Sequence, residues 1–158
     1  MSFWTVDTIR QVLEGEWVAG PRELREPHGA AIDSRAVRAG QVFFALGGER
    51  TDGHLHASGA AANGASLVVI EDPARVPPGD LDRIAAASGV LRVKSSADAL
   101  LRLGAACRRA MGATRVVSIG GSNGKTTTTR LVAAALGAAL RGTHSPKSFN
   151  NALGVPLT

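Results

Sequence analysis

Arg115-Val116-Val117-Ser118-Ile119-Gly120-Gly121-Ser122-Asn123-Gly124-Lys125-Thr126-Thr127 sets the reading of the whole chain. Five mostly β-branched or apolar residues predict a strand, the small residues after it a loop, and Lys-Thr-Thr the start of a helix. That helix carries Val132, Ala135, Leu136, Ala139 and Leu140 on one face, at i, i+3, i+4, i+7 and i+8. Gly120, Gly121 and Gly124 have no side-chain bulk, so backbone N–H groups can converge on an anion, and the helix start adds roughly half a positive charge. Lys125 supplies a point charge for β- and γ-phosphates, and the Thr126 hydroxyl is suited to Mg²⁺. The stretch 121–127 therefore predicts an ATP site formed by Gly121, Ser122, Asn123, Gly124, Lys125, Thr126 and Thr127. In the strict pattern G-x-x-x-x-G-K-[ST] the first glycine would fall on Ile119, so the match is one of context rather than of letter. The competing reading is a glycine-rich strand-to-helix turn with an exposed lysine.

Working outward, the charge is unevenly placed. Residues 1–88 hold eight Arg and Lys against twelve Asp and Glu, a balance of −4, whereas residues 89–158 hold ten against one, a balance of +9. The basic half contains the phosphate loop, and a field of that sign concentrates polyphosphate ligands. Phe149 is the only aromatic residue there, which argues against base stacking and so against nucleic acid. The single cysteine, Cys107, excludes an internal disulfide and fits no metal spacing; its alanine- and leucine-rich surroundings predict a buried small apolar role. The start Met1-Ser2-Phe3-Trp4-Thr5-Val6-Asp7 shows no secretory signal. The longest apolar segment, Leu131 to Leu140, is about half the ~20 residues that a bilayer requires. Both features predict a cytoplasmic protein without membrane insertion.

Upstream of the loop, strand and helix patterns alternate. Thr5 can cap a helix with Val6, Ile9, Val12 and Leu13 on one face, and 16–28 reads as an irregular charged connection. A weak strand at Gly29–Arg35 and a clearer one at Gln41–Leu46 follow, then a polar loop, a helical segment through Ala62, and Ser66–Ile70, apolar throughout as in a buried strand. A short helix at Leu81–Ala87 precedes the strand Val90–Lys94. Ser95 can cap the next helix, with Asp98 three residues on. The alternation predicts an α/β fold with a mainly parallel sheet. The expected boundary lies near 94–95, giving an N-terminal unit 1–94 and the start of a second unit, 95–158.

Three clusters carry candidate chemistry. Asp33-Ser34-Arg35 joins a hydroxyl to a guanidinium fork suited to a phosphate or a uracil edge, although residue types alone favour a turn with a surface ion pair. Thr51-Asp52-Gly53-His54 with His56 has the wrong spacing for a metal site and reads as turn and helix-cap chemistry. Ser148-Phe149-Asn150-Asn151 lies one helix downstream of the loop, where the next strand should return beside the nucleotide, though paired asparagines also suit a plain turn.

Together these residues resemble the Mur ligases, ATP-dependent amide-forming enzymes of peptidoglycan precursor synthesis. Gly121-Ser122-Asn123-Gly124-Lys125-Thr126-Thr127 matches the family's phosphate loop, which also lacks the first glycine. Asp33-Ser34-Arg35, Gly40, Phe43-Phe44-Ala45-Leu46, Gly48 and Asp52-Gly53-His54 resemble its UDP-binding domain. The ending Phe149-Asn150-Asn151-Ala152-Leu153-Gly154 is similar to the member that adds D-alanyl-D-alanine, whereas the member adding the third amino acid normally has a threonine- and proline-containing segment there. Gly120 departs from the family, which usually has threonine at this place.

The resemblance implies a central P-loop ATP-binding domain after a small UDP-binding α/β domain. It also implies a monomer that joins UDP-N-acetylmuramoyl-tripeptide to D-alanyl-D-alanine through an acyl phosphate. Lys125 then stabilises the γ-phosphate, Thr126 holds Mg²⁺, Asn151 beside Asn150 sits near the metal or γ-phosphate, and Ser34 and Arg35 contact the UDP moiety. The chain holds only the first strand, loop and helix of the ATP-binding sheet, so it is expected to be part of a longer protein, inactive alone, with the apolar face of the 124–140 helix exposed. A non-catalytic nucleotide or UDP-sugar module, and the ligase adding the third residue, are the alternatives.

Overall fold

Leu67-Val68-Val69-Ile70 is buried along its whole length and forms the centre of a five-stranded sheet, as an unbroken apolar run demands when both faces are covered. The computed structural model describes residues 3–21, 23–48 and 51–145. In chain order these contain α1 (Val6–Leu13), β1 (Glu16–Ala19), β2 (Ala30–Ala31), β3 (Val42–Phe44), α2 (Ala57–Ala62), β4 (Leu67–Ile70), α3 (Asp80–Ala87), β5 (Gly89–Arg92), α4 (Ser96–Ala110) and α5 (Lys125–Gly137). Short 3₁₀ turns lie at Ser34–Ala36, Gly53–His56 and Pro73–Arg75. The strand order is β1-β5-β4-β3-β2. The last four strands run parallel and β1 is antiparallel to β5, so the expected α/β fold with a mainly parallel sheet is what forms.

The two-residue period of the strands divides the core. Phe43, Val68, Ile70 and Val90 face one side, where Ala57, Ala60 and Ala61 of α2 and Ile84 of α3 cover them. Val42, Phe44, Leu67, Val69 and Leu91 face the other, under Ile9 and Leu13 of α1 and Ala99, Leu100 and Leu103 of α4. Helix caps follow the sequence: the Thr5 hydroxyl accepts the Thr8 amide, and the Ser95 hydroxyl accepts the Asp98 amide.

Three features differ from, or add to, the sequence reading. Residues 16–19, expected to be irregular, form the edge strand β1, held by its register with β5 and by a Glu16–Arg92 ion pair; its pattern is two exposed residues then two half-buried ones, with no alternation to read. Helix α4, expected to open the second unit, packs its apolar face into the same core as α1 and the sheet. The strand expected at 115–119 has no ladder among the described residues, and Val116 and Val117 are about 60% exposed (60% and 63%). A strand exists only through partners, and none of the five described strands borders this segment. No residue of α5 is buried, and Leu131, Leu136 and Leu140 are exposed, in line with the expected open face. Among the described residues no helix is long and apolar enough to cross a membrane.

Candidate functional site

The loop 120–124 turns into α5 through two backbone conformations that suit glycine: φ is 146° at Gly121 and 77° at Gly124. Gly120 is not so constrained, and a Cβ there would meet nothing within 4 Å, so a side chain at this place is sterically permitted. Gly124 is the N-cap of α5, and no side chain caps that helix end; Thr128 N–H closes the first turn onto Gly124 O at 2.9 Å. An uncapped N-terminus with its dipole is what an anion requires. Lys125 folds back over the loop, Nζ donating to Gly121 O at 2.8 Å and to Ser122 O at 3.1 Å. The ammonium is thus held beside the helix start by loop carbonyls rather than by a carboxylate, and among the described residues it makes no ion pair. Ser122, Asn123, Thr126 and Thr127 are exposed around it. Asn150 and Asn151 lie outside the described residues.

A second cluster forms where the four parallel strands end, the side of an open α/β sheet on which ligands bind. After β2, Asp33 caps the 3₁₀ turn Ser34–Ala36, accepting the Arg35 amide at 3.0 Å. Its carboxylate also takes a forked pair from Arg35, Nε at 3.0 Å and Nη2 at 2.8 Å. This is the turn with a surface ion pair that residue types favoured. The hydrogen bond to Asp33, then its charge, raises the Arg35 pKa, and the side chain is 89% exposed and keeps its remaining donors toward solvent. Ser34 is half-buried, its carbonyl accepting Asn63 Nδ2 at 2.9 Å.

After β3 and β4 the same edge carries a partly buried network around the fully buried His54. Asp52 caps the turn Gly53–His56, as the sequence suggested. Its Oδ1 accepts the His54 amide at 3.0 Å and faces His54 Nδ1 at 2.6 Å; its Oδ2 accepts Arg75 Nε at 2.9 Å. Burial alone would push the Asp52 carboxyl up, but the amide and imidazole of His54 and the Arg75 guanidinium outweigh it and hold the group at about 2. The His54 ring is fully buried and its Nε2 accepts the Glu71 amide at 3.0 Å, which assigns the proton to Nδ1. Both ring nitrogens are therefore engaged by the protein. Glu71 and Arg75 were not legible as members of this network; the available signal was their i, i+4 spacing just past β4.

The structure brings Ser34, Arg35 and the Asp52 network to one sheet edge. The phosphate loop lies beyond α4, on a helix with no buried residue. An open recess of about 490 Å³ occurs elsewhere, along the opposite edge strand β1, lined by Trp17, Val18 and Leu24 and by Asp7 and Glu26. Among the described residues its charged lining is Asp7 and Glu26, which do not attract phosphate.

Residues 26–108 match the family model described as Mur ligase family, catalytic domain. Among curated relatives, the UDP-N-acetylmuramoyl-tripeptide--D-alanyl-D-alanine ligase of Bacillus subtilis is 34% identical over 98% of this chain and 32% of its own length. The UDP-N-acetylmuramoyl-L-alanyl-D-glutamate--2,6-diaminopimelate ligase of Geobacter metallireducens is 42% identical over 83% of this chain and 24% of its own. Among solved structures, MurF of Acinetobacter baumannii is 31% identical with a TM-score of 0.77 over 98% of this chain and 32% of that one. MurF ligase of Thermotoga maritima, solved in complex with ADP, is 30% identical with a TM-score of 0.60, over 82% of this chain and 28% of that one. The chain thus spans about a third or less of the length of the relatives it matches.

Proposed function

Since the chain belongs to the Mur ligase family, we propose that it supplies the UDP-substrate half and the phosphate loop of an ATP-dependent ligase adding D-alanyl-D-alanine to UDP-N-acetylmuramoyl-tripeptide. The observation that carries this reading is the match to a ligase of that name along 98% of the chain, glycine-rich loop included. Support for ATP comes from the uncapped start of α5 with Lys125 beside it, and from the ADP bound to a relative of the same architecture.

In this reading the tripeptide's terminal carboxylate attacks the γ-phosphorus of ATP, forming a C–O–P acyl phosphate as ADP leaves. The amine of D-alanyl-D-alanine then attacks the acyl carbon, expels inorganic phosphate and loses a proton. Phosphoryl transfer is catalysed chiefly by positioning and by offsetting charge on the phosphate oxygens. The loop amides of residues 121–124 and the α5 N-terminus cradle the phosphates, and Lys125 leaves its two carbonyl partners for the γ-phosphate. Thr126 and Thr127 lie at the helix start, where Thr126 would hold Mg²⁺, and the family resemblance assigns Asn151, outside the described residues, to the γ-phosphate. The metal offsets phosphate charge when bound. At the carboxyl edge of the sheet, Ser34 and Arg35 hold the uridine diphosphate. Residues 1–94 serve the UDP substrate and 95–158 the nucleotide, with α4 as the connection between the two. The protein acts as a cytoplasmic monomer in peptidoglycan precursor synthesis.

The test is titration calorimetry of the 158-residue chain with ATP and with UDP. Lys125→Ala abolishes ATP binding and leaves UDP binding intact; equal ATP affinity in the variant refutes the loop assignment. A second reading, the ligase adding the third residue, is favoured by the 42% identity to the diaminopimelate-adding relative over a shorter span. Greater thermal stabilisation by UDP-muramoyl dipeptide than by tripeptide selects it.

A further inference from the structure

From Ala99 to Thr158 the chain holds eight Arg and Lys and no Asp or Glu. Arg108, Arg109, Arg115, Arg130 and Arg141 are exposed, and among the described residues none of the five makes a side-chain hydrogen bond or ion pair. By contrast Arg35, Arg75, Arg83, Arg92 and Arg102 are each paired with a carboxylate. Like charges left unpaired repel one another, so the exposed set supplies field rather than stability. Two of its members flank the phosphate loop. Arg130 stands five residues beyond Lys125 on α5, about 8 Å along the axis, and helical side chains lean toward the N-terminus, here the loop. Arg115 precedes Gly121 by six residues, a span of at most about 22 Å when fully extended. We infer that Arg115 and Arg130 are steering residues, which draw the nucleotide's phosphates to the loop through solvent and do not touch them in the bound complex.

With the proposed ATP site as its premise, this role has a calculable size. In water, a unit charge about 10–20 Å from the net charge of about −2 on MgATP changes the rate of encounter by about 1.5- to 3-fold at an ionic strength of ~10 mM, where the screening length is about 30 Å. The two arginines together therefore contribute about two- to sevenfold. At ~0.5 M the screening length falls to about 4 Å and the contribution vanishes. A guanidinium that grips a phosphate in the complex behaves differently: it slows dissociation and, being partly desolvated, persists in salt.

Stopped-flow binding of a fluorescent ATP analogue with Mg²⁺ to the 158-residue chain separates the cases. The double variant Arg115→Gln/Arg130→Gln is expected to lower the association rate constant about two- to sevenfold at ~10 mM ionic strength and to match wild type at ~0.5 M, with dissociation unchanged. Arg141 follows the far end of α5, whose 13 residues span about 20 Å, so Arg141→Gln is expected to slow association less than Arg130→Gln does. Unchanged association of the double variant at low salt overturns the steering role, and so does an equal effect of Arg141→Gln and Arg130→Gln. Faster dissociation that persists at ~0.5 M overturns it as well, by making the arginines contacts. Lys125→Ala keeps the two readings apart: if it loses binding at every ionic strength while the arginine variants arrive like wild type, the ATP site stands and steering fails. Wild-type binding in Lys125→Ala, or no binding by the wild-type chain, removes the site and the steering toward it together.

Discussion

Replacing Asp52 by Asn removes the negative charge and one of the two oxygens that meet His54 and Arg75, and its effect on folding can be worked out. The carboxyl is held at about 2 against an ordinary value of 3.8. At ~1.4 kcal/mol per pKa unit the difference corresponds to at most ~2–3 kcal/mol. The side chain is 27% exposed, so screening reduces this to about 1–2 kcal/mol. The sign follows from the depressed pKa: folding holds the carboxylate ionised, so the contribution is complete above about pH 4–5, roughly half gone near pH 3 and lost as pH falls through about 2. Urea unfolding of wild type and Asp52→Asn at pH 7, 4, 3 and 2.5 gives the difference directly, cancelling the other carboxylates. The gap is expected to close as pH falls from 4 to 2.5. Parallel curves through that interval would refute the argument that paired donors hold this group ionised.

Other substitutions probe other links. Leu100→Ala opens a cavity between α4 and the sheet, where the side chain is fully buried, and is expected to cost about 2–5 kcal/mol in urea unfolding; a loss below ~1 kcal/mol would place α4 outside this core. Gly53→Ala puts a Cβ 2.6 Å from Leu46 N and 2.9 Å from Ala45 Cα, backbone that cannot yield freely, and should cost about 1–3 kcal/mol. Lys125→Ala, on a helix with no buried residue, should leave the unfolding free energy within ~0.5 kcal/mol while ATP binding is lost; calorimetry and urea unfolding on one preparation separate the two effects.

Much was legible where the signal is local. The caps at Thr5 and Ser95, the buried strand at Leu67–Ile70 and the glycine-rich start of α5 depend on residues within a few positions of one another, so spacing alone exposes them. The Asp33–Arg35 fork is likewise a two-residue affair, and its turn chemistry was visible. The role of Asp52 was half visible: its capping of the His54 amide is local, but its carboxylate also meets Arg75, 23 residues on.

By itself the sequence determined the α/β character and the family, because periodicity and short motifs act through the nearest backbone. Tertiary structure alone decided that Glu16–Ala19 is an antiparallel edge, since its partner Arg92 lies 76 residues away. It also decided that α4 closes the first core, that Val116 and Val117 have no ladder among the described residues, and that His54 is buried between Asp52 and β4. Burial and pairing belong to partners, and a partner distant along the chain leaves no mark on the spacing of the residues it covers.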